Sequence, residues 1–367
     1  MPGRARLTKY SGGGGSSRLS TIVKAGLVKG IPPGIQTDVA ELIHASLAAS
    51  TWKKYESAWS ALRTYEIYTR RPLQWPLSKE TLRGYVAYLF KVRGLKTTSI
   101  RAYTSALACL HRLKGFPNHV VEDDVTRAIM RGAENLQMSA PQKKPNCRRV
   151  MTVHLLKHLG HRLATSGWER PATQSVWAAS LTAFFGTARM GELLSPSESW
   201  ADPSCTFTWS CVQYRQETDS FLLHIRLAKM RSPQGEFIDL FPFRKIPGLC
   251  PVAALKKQWE RQRSLGRGRP EDPVFTYPSG NFVTTEAFNK ALRILLADVV
   301  DYSRDSITCH SFRAGLPSLI SQYPELMSVE DIKSWGRWSG ESYSKYTRLG
   351  DVQKKKLFDM ISDVIVQ

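Results

Sequence analysis

Two separated segments of the sequence place charged side chains where a charge needs an explanation. In "FFGTARMGELL" an apolar helical stretch ends at Arg189, and Glu192 follows three positions later, close enough on a helix to pair with it. In "CHSFRAG" His310 and Arg313 share one helical face and can converge on one ligand. Each pattern has a structural explanation, an ion pair or surface charge. The planar guanidinium of arginine is, however, also well suited to grip a phosphate group bidentately.

A third segment, "GRWSGESYSKYTR" at 336–348, contains two tyrosines whose hydroxyl groups could act as nucleophiles. Ser339 fits the position of an N-cap, which predicts a short helix over 340–347. Tyr343 and Tyr346 then lie on adjacent parts of one face of that helix. Helical geometry alone does not choose between them.

In chain order these segments supply an arginine, an H-x-x-R pair, a tryptophan and a tyrosine, and this order resembles the tyrosine recombinase family. "TARMGELL" resembles the family's first arginine box and "HSFRAG" its H-x-x-R box. "GRWSGESYSKYTR" resembles its final box, with Trp338 where many members have histidine and some have tryptophan. The residue pattern of this final box is most similar to that of the recombinases of eukaryotic mobile elements of the Crypton, DIRS and Ngaro kinds.

The resemblance implies which tyrosine reacts. In the family the nucleophile lies eight or nine residues after the final His or Trp, and a Thr or Ile and a basic residue often follow it. Tyr346 in "YTR" fits with a spacing of eight from Trp338, whereas Tyr343, at five, comes too early. Trp338 is expected to present its indole N–H to a nonbridging oxygen, or simply to pack against the helix of the nucleophile.

Cleavage of a phosphodiester without a metal requires neutralisation of the nonbridging oxygens and protonation of the leaving 5′-oxygen. Arg189 and Arg313 suit the first task because a guanidinium stays charged at any working pH. His310 adds a further donor or moves a proton to and from the tyrosine. The tyrosine would form a 3′-phosphotyrosine whose energy is conserved, so we expect no ATP, metal ion or other cofactor.

Two supporting residues follow from the same resemblance. The family's general acid is a lysine on a β-hairpin turn, and Lys229 in "RLAKMRSPQG" lies at the end of a predicted strand just before such a turn. Arg226 and Arg231 lie close by, so the assignment of Lys229 stays less sharp than that of the arginines. Glu192 is expected to orient Arg189, because the family often has an acidic residue at this position.

The first part of the chain is predicted to be helical. Residues 36–138 repeat apolar side chains at spacings of three and four, as in "STWKKYESAWSALRTYEIYTRR", which indicates an all-α core-binding domain. Ser50 or Thr51, and later Ser78, fit helix N-caps. Residues 1–35 contain "SGGGGSS" and two basic clusters, and we expect them to form a flexible basic arm.

The second part is predicted to be an α+β catalytic domain over 150–350. Helical stretches there flank three consecutive β-type segments, "TFTWSCVQYR", "SFLLHIRLAK" and "GEFIDLFPF". With "QETD" and "RSPQG" as turns, these segments predict a small antiparallel sheet. The stretch "SAPQKKPNCRR" at 139–149 is read as the linker between the two domains. Residues 351–367 read as an amphipathic C-terminal helix for contact with another protomer.

The formal net charge of +21 over 367 residues indicates a polyanionic partner, and double-stranded DNA is the first candidate. Lys and Arg are spread along the chain, which disfavours a membrane surface as the partner. The six cysteines contain no C-x-x-C pair and indicate reduced thiols in an intracellular protein, nuclear if the host is a eukaryote. The predicted DNA contacts are Lys53, Arg63, Arg101, Lys143, Lys144, Arg148 and Arg149.

In the family the C-terminal helix docks on a neighbouring protomer, so a homodimer or homotetramer on DNA is expected, with docking in cis as the alternative. Two other functions share much of the pattern. A type IB topoisomerase uses the same chemistry to relax supercoils, and a transposon-derived DNA-binding protein could keep the layout without cleavage. Trp338 and the apolar C-terminal segment favour a recombinase, a DNA strand transferase.

Overall fold

The computed structural model divides into two compact units, Met1–Lys143 and Lys144–Gln367. The boundary between these units lies inside the stretch 139–149. The structure describes residues 31–47, 49–116, 123–139, 147–199, 206–226, 235–243, 245–302, 305–321 and 328–338. Within these residues no helix combines the length and apolar character needed to cross a membrane.

The described part of the first unit is all-α. It opens with a 3-10 turn, Pro33–Ile35, inside the segment predicted to be a flexible arm. The helices that follow are α1 (Gln36–Ala45), α2 (Ala49–Thr69), α3 (Lys79–Lys91), α4 (Thr97–Leu113) and α5 (Asp124–Ser139).

The predicted N-cap at Ser78 is confirmed, since its hydroxyl accepts a hydrogen bond from the backbone N–H of Thr81 at 3.2 Å. A cap of this kind contributes about 1 kcal/mol. The N-cap prediction at Ser50 or Thr51 is wrong because α2 already begins at Ala49, and both residues lie in its first turn. Alanine is the strongest helix former, so it extends the helix upstream of the polar pair.

The core of the first unit forms where the apolar stripes of α2, α3 and α4 meet. Leu62, Leu89 and Leu107 contribute one fully buried side chain from each of these helices. Burying each such side chain contributes about 1.5–3 kcal/mol. The spacing of apolar residues within each helix, which predicted the helices from the sequence, also places these side chains in the core.

A buried carboxylate joins α3 to the start of α5. Asp123 accepts two hydrogen bonds of 2.8 Å from the guanidinium of Arg83, and two more from the backbone N–H and hydroxyl of Thr126. The hydrogen bonds from Arg83, followed by those from Thr126, hold the pKa of Asp123 well below its usual range. The charged form of Asp123 is therefore the form that the fold stabilises.

Asp123→Asn is expected to lower the thermal stability of the chain at pH 7. A carboxylate with a depressed pKa contributes stability above its unfolded value of about 4, and that contribution is lost as the pH falls towards the folded value. The Tm difference between wild type and Asp123→Asn should therefore be constant near neutrality and narrow below about pH 4. Thermal melts followed by circular dichroism at pH 7, 5 and 3 measure this; a gap that widens in acid would contradict it.

The described part of the second unit combines helices with short strands. Its elements are β1 (Cys147–Arg148), α6 (Val153–Thr165), α7 (Arg170–Phe185), α8 (Met190–Leu193), β2 (Val212–Arg215), β3 (Ser220–Ile225), β4 (Glu236–Leu240), α9 (Pro251–Ser264), α10 (Thr285–Leu295), β5 (Asp305–Ser306), α11 (Cys309–Ile320) and α12 (Val329–Gly336).

The predicted three-stranded antiparallel sheet is present, in the order β2-β3-β4. Val212 pairs with Leu223, and Leu223 pairs in turn with Ile238. The first strand is shorter than its predicted β-type segment, because Trp209–Cys211 forms a 3-10 turn before β2 begins. The sequence therefore predicted the sheet but overestimated the length of its first strand.

A second, two-stranded sheet was not predicted. β1 pairs in parallel with β5, with Cys147 opposite Asp305 and Arg148 opposite Ser306. The last residues of the predicted linker are therefore a strand of the second unit. Two-residue strands carry too little pattern to be recognised in a sequence, since a period of two needs a longer run.

Close packing between α7 and α11 determines where the H-x-x-R box lies. A Cβ atom on Gly315 would come within 2.4 Å of both the carbonyl oxygen of Met151 and the ring of Phe184. Both Phe184 and Phe312 are buried in the core of this unit. Glycine is thus required for α11 to approach the buried helix α7, and this approach brings Arg313 next to the segment that follows α7.

Candidate active site

Arg189 lies between the buried helix α7 and the single turn α8, of which it is the N-cap residue. Glu192 accepts hydrogen bonds from the backbone N–H of Arg189 at 2.9 Å and from its Nη1 at 2.5 Å. The side chain of Arg189 is 25% exposed and that of Glu192 is 4% exposed. The two residues thus pair as their spacing predicts, and the buried carboxylate holds the arginine at both its backbone and its guanidinium.

Arg313 is the largest side chain of the chain's described part that is almost completely buried, with 1% exposure. Its Nη1 donates to the carbonyl oxygen of Thr187 at 2.6 Å, and its Nη2 donates to the carbonyl oxygen of Gly336 at 2.5 Å. Hydrogen bonds to a charged donor are strong, about 1.5–3 kcal/mol each. Through them a single guanidinium joins the first arginine box, the H-x-x-R box and the final box.

Trp338 covers this arginine. The guanidinium carbon of Arg313 lies 5.1 Å from the centre of a Trp338 ring, a cation–π contact. A Cβ atom on Gly336 would lie 1.8 Å from the same indole, so only glycine lets the ring fold back onto the end of α12. The "GRW" sequence is therefore required for packing. Its glycine, Gly336, leaves room for the ring of Trp338, and the carbonyl oxygen of the same glycine accepts a hydrogen bond from Arg313.

His310 lies in the first turn of α11, three residues before Arg313, and is exposed. His310 is thus accessible to solvent at the N-terminal end of α11, and the buried Arg313 lies one turn further along the same helix. Its neighbour Cys309 is a different case: burial raises the pKa of the Cys309 thiol to about 12. Cys309 therefore stays a neutral thiol at physiological pH and is a poor competitor as a nucleophile.

Sequence reasoning missed two residues of this cluster, Arg337 and Glu236. Arg337 donates from Nη2 to Oε2 of Glu192 at 2.9 Å and from Nη1 to Oε2 of Glu236 at 2.7 Å. Its side chain is 9% exposed. Glu236 is the first residue of β4. The pairings join positions 101 and 145 residues apart in the chain, so no local spacing could have revealed them.

The charges around Glu192 determine its ionisation. Burial by itself would raise the pKa of this carboxyl group, but the charge of Arg337, the backbone N–H of Arg189 and the charge of Arg189 together lower it below its usual value. Glu192 is therefore an acceptor-only carboxylate at neutral pH, able to hold both arginines. It is unsuited to act as a general acid.

Other candidates lie outside the described residues. These are the general-acid candidate Lys229, both tyrosines Tyr343 and Tyr346, and the linker residues Lys143 and Lys144. The predicted helix over 340–347 and the C-terminal segment 351–367 also lie outside them. Arg148 is described only as part of the backbone of β1. Arg149 is exposed directly after it.

Three candidate DNA contacts of the first unit, Lys53, Arg63 and Arg101, are exposed. Lys53 has no ion-pair partner among the described residues, whereas Arg63 pairs with Glu66 one turn later on α2. Arg101 on α4 pairs with Glu134 on α5, at 2.5 Å between Nη2 and Oε1. Exposed ion pairs of this kind contribute little to stability, so they leave both arginines able to exchange a carboxylate for a phosphate.

Comparison with solved structures shows the fold. XerH site-specific recombinase bound to palindromic difH substrate, in a post-cleavage complex, matches with a TM-score of 0.57 at 10% identity, covering 94% of this chain and 89% of that chain. XerH bound to difH substrate in a pre-cleavage complex matches with a TM-score of 0.54 at 10% identity, over 93% and 88%. A lambda integrase dimer bound to a COC′ core site matches with a TM-score of 0.52 at 17% identity, over 85% and 75%.

No family model and no curated protein matched the chain. The fold class is nevertheless defined, because the structural matches span both units. The chain has the fold of lambda-integrase-like recombinases, with an N-terminal helical part and a C-terminal part built from helices and a three-stranded antiparallel sheet.

Proposed function

We propose that this chain is a tyrosine recombinase, a DNA strand transferase that cleaves and rejoins duplex DNA through a 3′-phosphotyrosine. The observation that carries the proposal is the convergence on Arg313 of three segments that are far apart in the sequence. Arg313 binds the carbonyls of Thr187 and Gly336 and stacks on Trp338. A recombinase must bring donors from distant segments around one phosphate. This convergence is evidence for function that a shared fold by itself does not provide.

In the proposed reaction the Oη atom of Tyr346 attacks the scissile phosphorus, and its proton passes to His310. Arg189 and Arg313 neutralise the nonbridging oxygens as phosphorus becomes five-coordinate. The bond from phosphorus to the 5′-oxygen breaks, and Lys229 protonates that oxygen. A 5′-hydroxyl from a second strand reverses these steps, so the phosphodiester is restored with no net loss of high-energy bonds and no need for metal or ATP.

The state of Arg189 supports this role. Its hydrogen bonds with Glu192 involve the backbone N–H and Nη1, and its Nε and Nη2 have no partner among the described residues. A guanidinium presents five N–H donors, so Arg189 keeps a face for a phosphate while Glu192 fixes its direction. Its partial exposure leaves that face within reach of DNA.

The context of the reaction is proposed from the motif wording and from the neighbours. The "GRW" box favours a recombinase encoded by a mobile element of the Crypton, DIRS or Ngaro kind, which would act in the nucleus of a eukaryotic host. One lambda integrase neighbour is a dimer bound to a core site and another is a tetramer bound to a Holliday junction, which supports DNA as the partner and assembly into a dimer or tetramer. The segment 351–367 is the proposed contact between protomers.

A trapping experiment tests the proposal without knowledge of the target site. The protein is incubated with a pool of randomly nicked duplex DNA in buffer containing EDTA, boiled in detergent, and analysed for protein that carries DNA. A nick just beyond the cleaved phosphate lets the short 5′-hydroxyl strand diffuse away, so the covalent intermediate accumulates. Sequencing of the attached DNA should yield one preferred site.

Two other outcomes of the trapping experiment would favour a different function. An adduct at scattered sites together with relaxation of a supercoiled plasmid would favour a type IB topoisomerase. Sequence-specific binding with no adduct on any nicked duplex would favour a DNA-binding protein without cleavage activity, and the proposal would be wrong.

DNA affinity is expected to fall steeply with salt, because the chain carries a net charge of +21. Each neutralised phosphate contributes about −0.9 to the slope of log K against log salt concentration. Lys53→Ala should reduce the steepness of that slope by about one unit, because Lys53 is a proposed phosphate contact. The matched control is Lys53→Arg, which keeps the positive charge and should keep the wild-type slope. Fluorescence anisotropy between low and moderate salt measures both; equal slopes for Lys53→Ala and wild type would remove Lys53 from the interface.

A further inference from the structure

Arg337 occupies a backbone conformation that arginine rarely adopts. It follows the last residue of α12 with φ at +54° and ψ at +51°, in the left-handed region. The N–H of Trp338 bonds to the carbonyl of Lys333, and the N–H of Arg337 bonds to that of Ser334, which closes the helix. Glycine is the usual residue at such a helix end because it has no Cβ penalty. Arg70 has the same φ of +54° directly after α2, so the turn alone does not single out Arg337, and the reason for an arginine here must be sought in its side chain.

The side chain of Arg337 supplies that reason. One terminal nitrogen binds Glu192 and the other binds Glu236, so the charges alternate along Arg189, Glu192, Arg337 and Glu236. Glu192 is buried and the Glu236 side chain is 20% exposed. Both terminal nitrogens bind carboxylates, whose negative charges neutralise the guanidinium and repel a phosphate, whereas the partners of Arg313 are neutral carbonyls. Arg337 is therefore placed to hold other residues rather than to bind a phosphate itself.

Stability alone does not explain such an arrangement. Moving charges out of water is costly, and replacing a buried ion pair by apolar residues of similar size is often neutral or stabilising. What the arrangement provides is position. Oε2 of Glu192 accepts from both Arg337 and the backbone of Arg189, while Oε1 accepts from Nη1 of Arg189. The guanidinium of Arg189 can therefore keep its direction only while Glu192 is held.

We propose that Arg337 is a positioning residue for the phosphate-binding arginine Arg189, acting through Glu192 and anchored on β4 by Glu236. This assignment rests on the proposed function. It also explains why the same short segment contains both Arg337 and Trp338: one side chain holds the environment of Arg189, and the other covers Arg313. The end of α12 thereby sets both cationic donors in place.

The test compares Arg337→Lys with wild type on two substrates derived from the trapped site. One has an ordinary scissile phosphodiester, and the other has a methylphosphonate, which lacks the negative charge that Arg189 must neutralise. At saturating DNA, Arg337→Lys should cleave the phosphodiester about 10²-fold more slowly than wild type, since a misplaced catalytic group costs about this much. On the methylphosphonate the deficit should shrink below about fivefold, because charge neutralisation is no longer required. The dissociation constant for DNA should change by less than about twofold.

Two further variants keep the test decisive if Arg337→Lys folds poorly. Glu236→Gln removes the charge of the anchor but keeps a side-chain oxygen, and should show the same substrate pattern with a smaller deficit. Arg215→Gln breaks an exposed ion pair of the same sheet and should match wild type on both substrates. Equal deficits on the two substrates for Arg337→Lys and Glu236→Gln would overturn the assignment. No adduct from wild type itself would instead overturn the proposed function, and this assignment with it.

Discussion

Tyr346→Phe is expected to eliminate the covalent protein–DNA adduct, whereas Tyr343→Phe is expected to retain it. Phenylalanine keeps the ring and removes only the hydroxyl group, so the change tests the nucleophile itself rather than its packing. Without that oxygen no bond to phosphorus can form, and the adduct should fall below detection, a loss of at least about 10⁴-fold. The measurement is the detergent-stable adduct on a nicked duplex that contains the site recovered from the trapping experiment.

The control for this pair is DNA binding. Both variants should bind the site as wild type does, because neither change alters charge. Loss of the adduct in Tyr343→Phe with retention in Tyr346→Phe would reverse the assignment, and loss in both would indicate that the two hydroxyl groups act together. Retention of the adduct in both variants would exclude this segment as the source of the nucleophile.

Arg313→Lys is expected to lower the rate of cleavage by about 10³-fold while the chain stays folded. Lysine keeps the charge but has no planar fork, so it cannot donate to the carbonyls of Thr187 and Gly336 together while stacking on Trp338. Removing one positioned donor from a site of this kind costs about 10²–10³-fold in rate. Single-turnover cleavage at saturating DNA measures the effect.

Arg313→Ala provides the comparison. It removes the charge as well, so the cleavage rate should fall further. It also leaves two carbonyls and a cavity in a site with 1% exposure, so stability should fall by about 2–5 kcal/mol. Circular dichroism melts identify the temperature at which both variants are folded, and rates are compared there. A rate for Arg313→Lys within about threefold of wild type would show that the buried guanidinium supports the fold and not the chemistry.

Local signals in the sequence predicted what depends on local structure. The polar residue Ser78 before a helical pattern located a cap, and three short alternating runs located the antiparallel sheet. The i, i+3 spacing of Arg189 and Glu192 predicted their pairing because both atoms of the pair lie within one turn. The residues that form each of these features lie within a few positions of one another in the sequence.

Features that depend on distant residues were not predicted. Glu236 meets Arg337 across 101 residues, and within the described part of the chain neither side chain pairs with a close neighbour in the sequence. The parallel pairing of β1 with β5 likewise joins residues 147 and 305 through strands of two residues each. The left-handed turn at Arg337 runs against the preference of its residue type, and a sequence gives no signal for it. Tertiary interactions, which a single sequence does not display, decide all three.

The most direct test of the central claim is mass spectrometry of the trapped adduct after digestion with protease and nuclease. The account predicts one modified peptide containing "YTR", with a nucleotide linked through its 3′-phosphate to the phenol oxygen of Tyr346. A nucleotide on Tyr343, on a serine or on Cys309, or linkage through a 5′-phosphate, would contradict it.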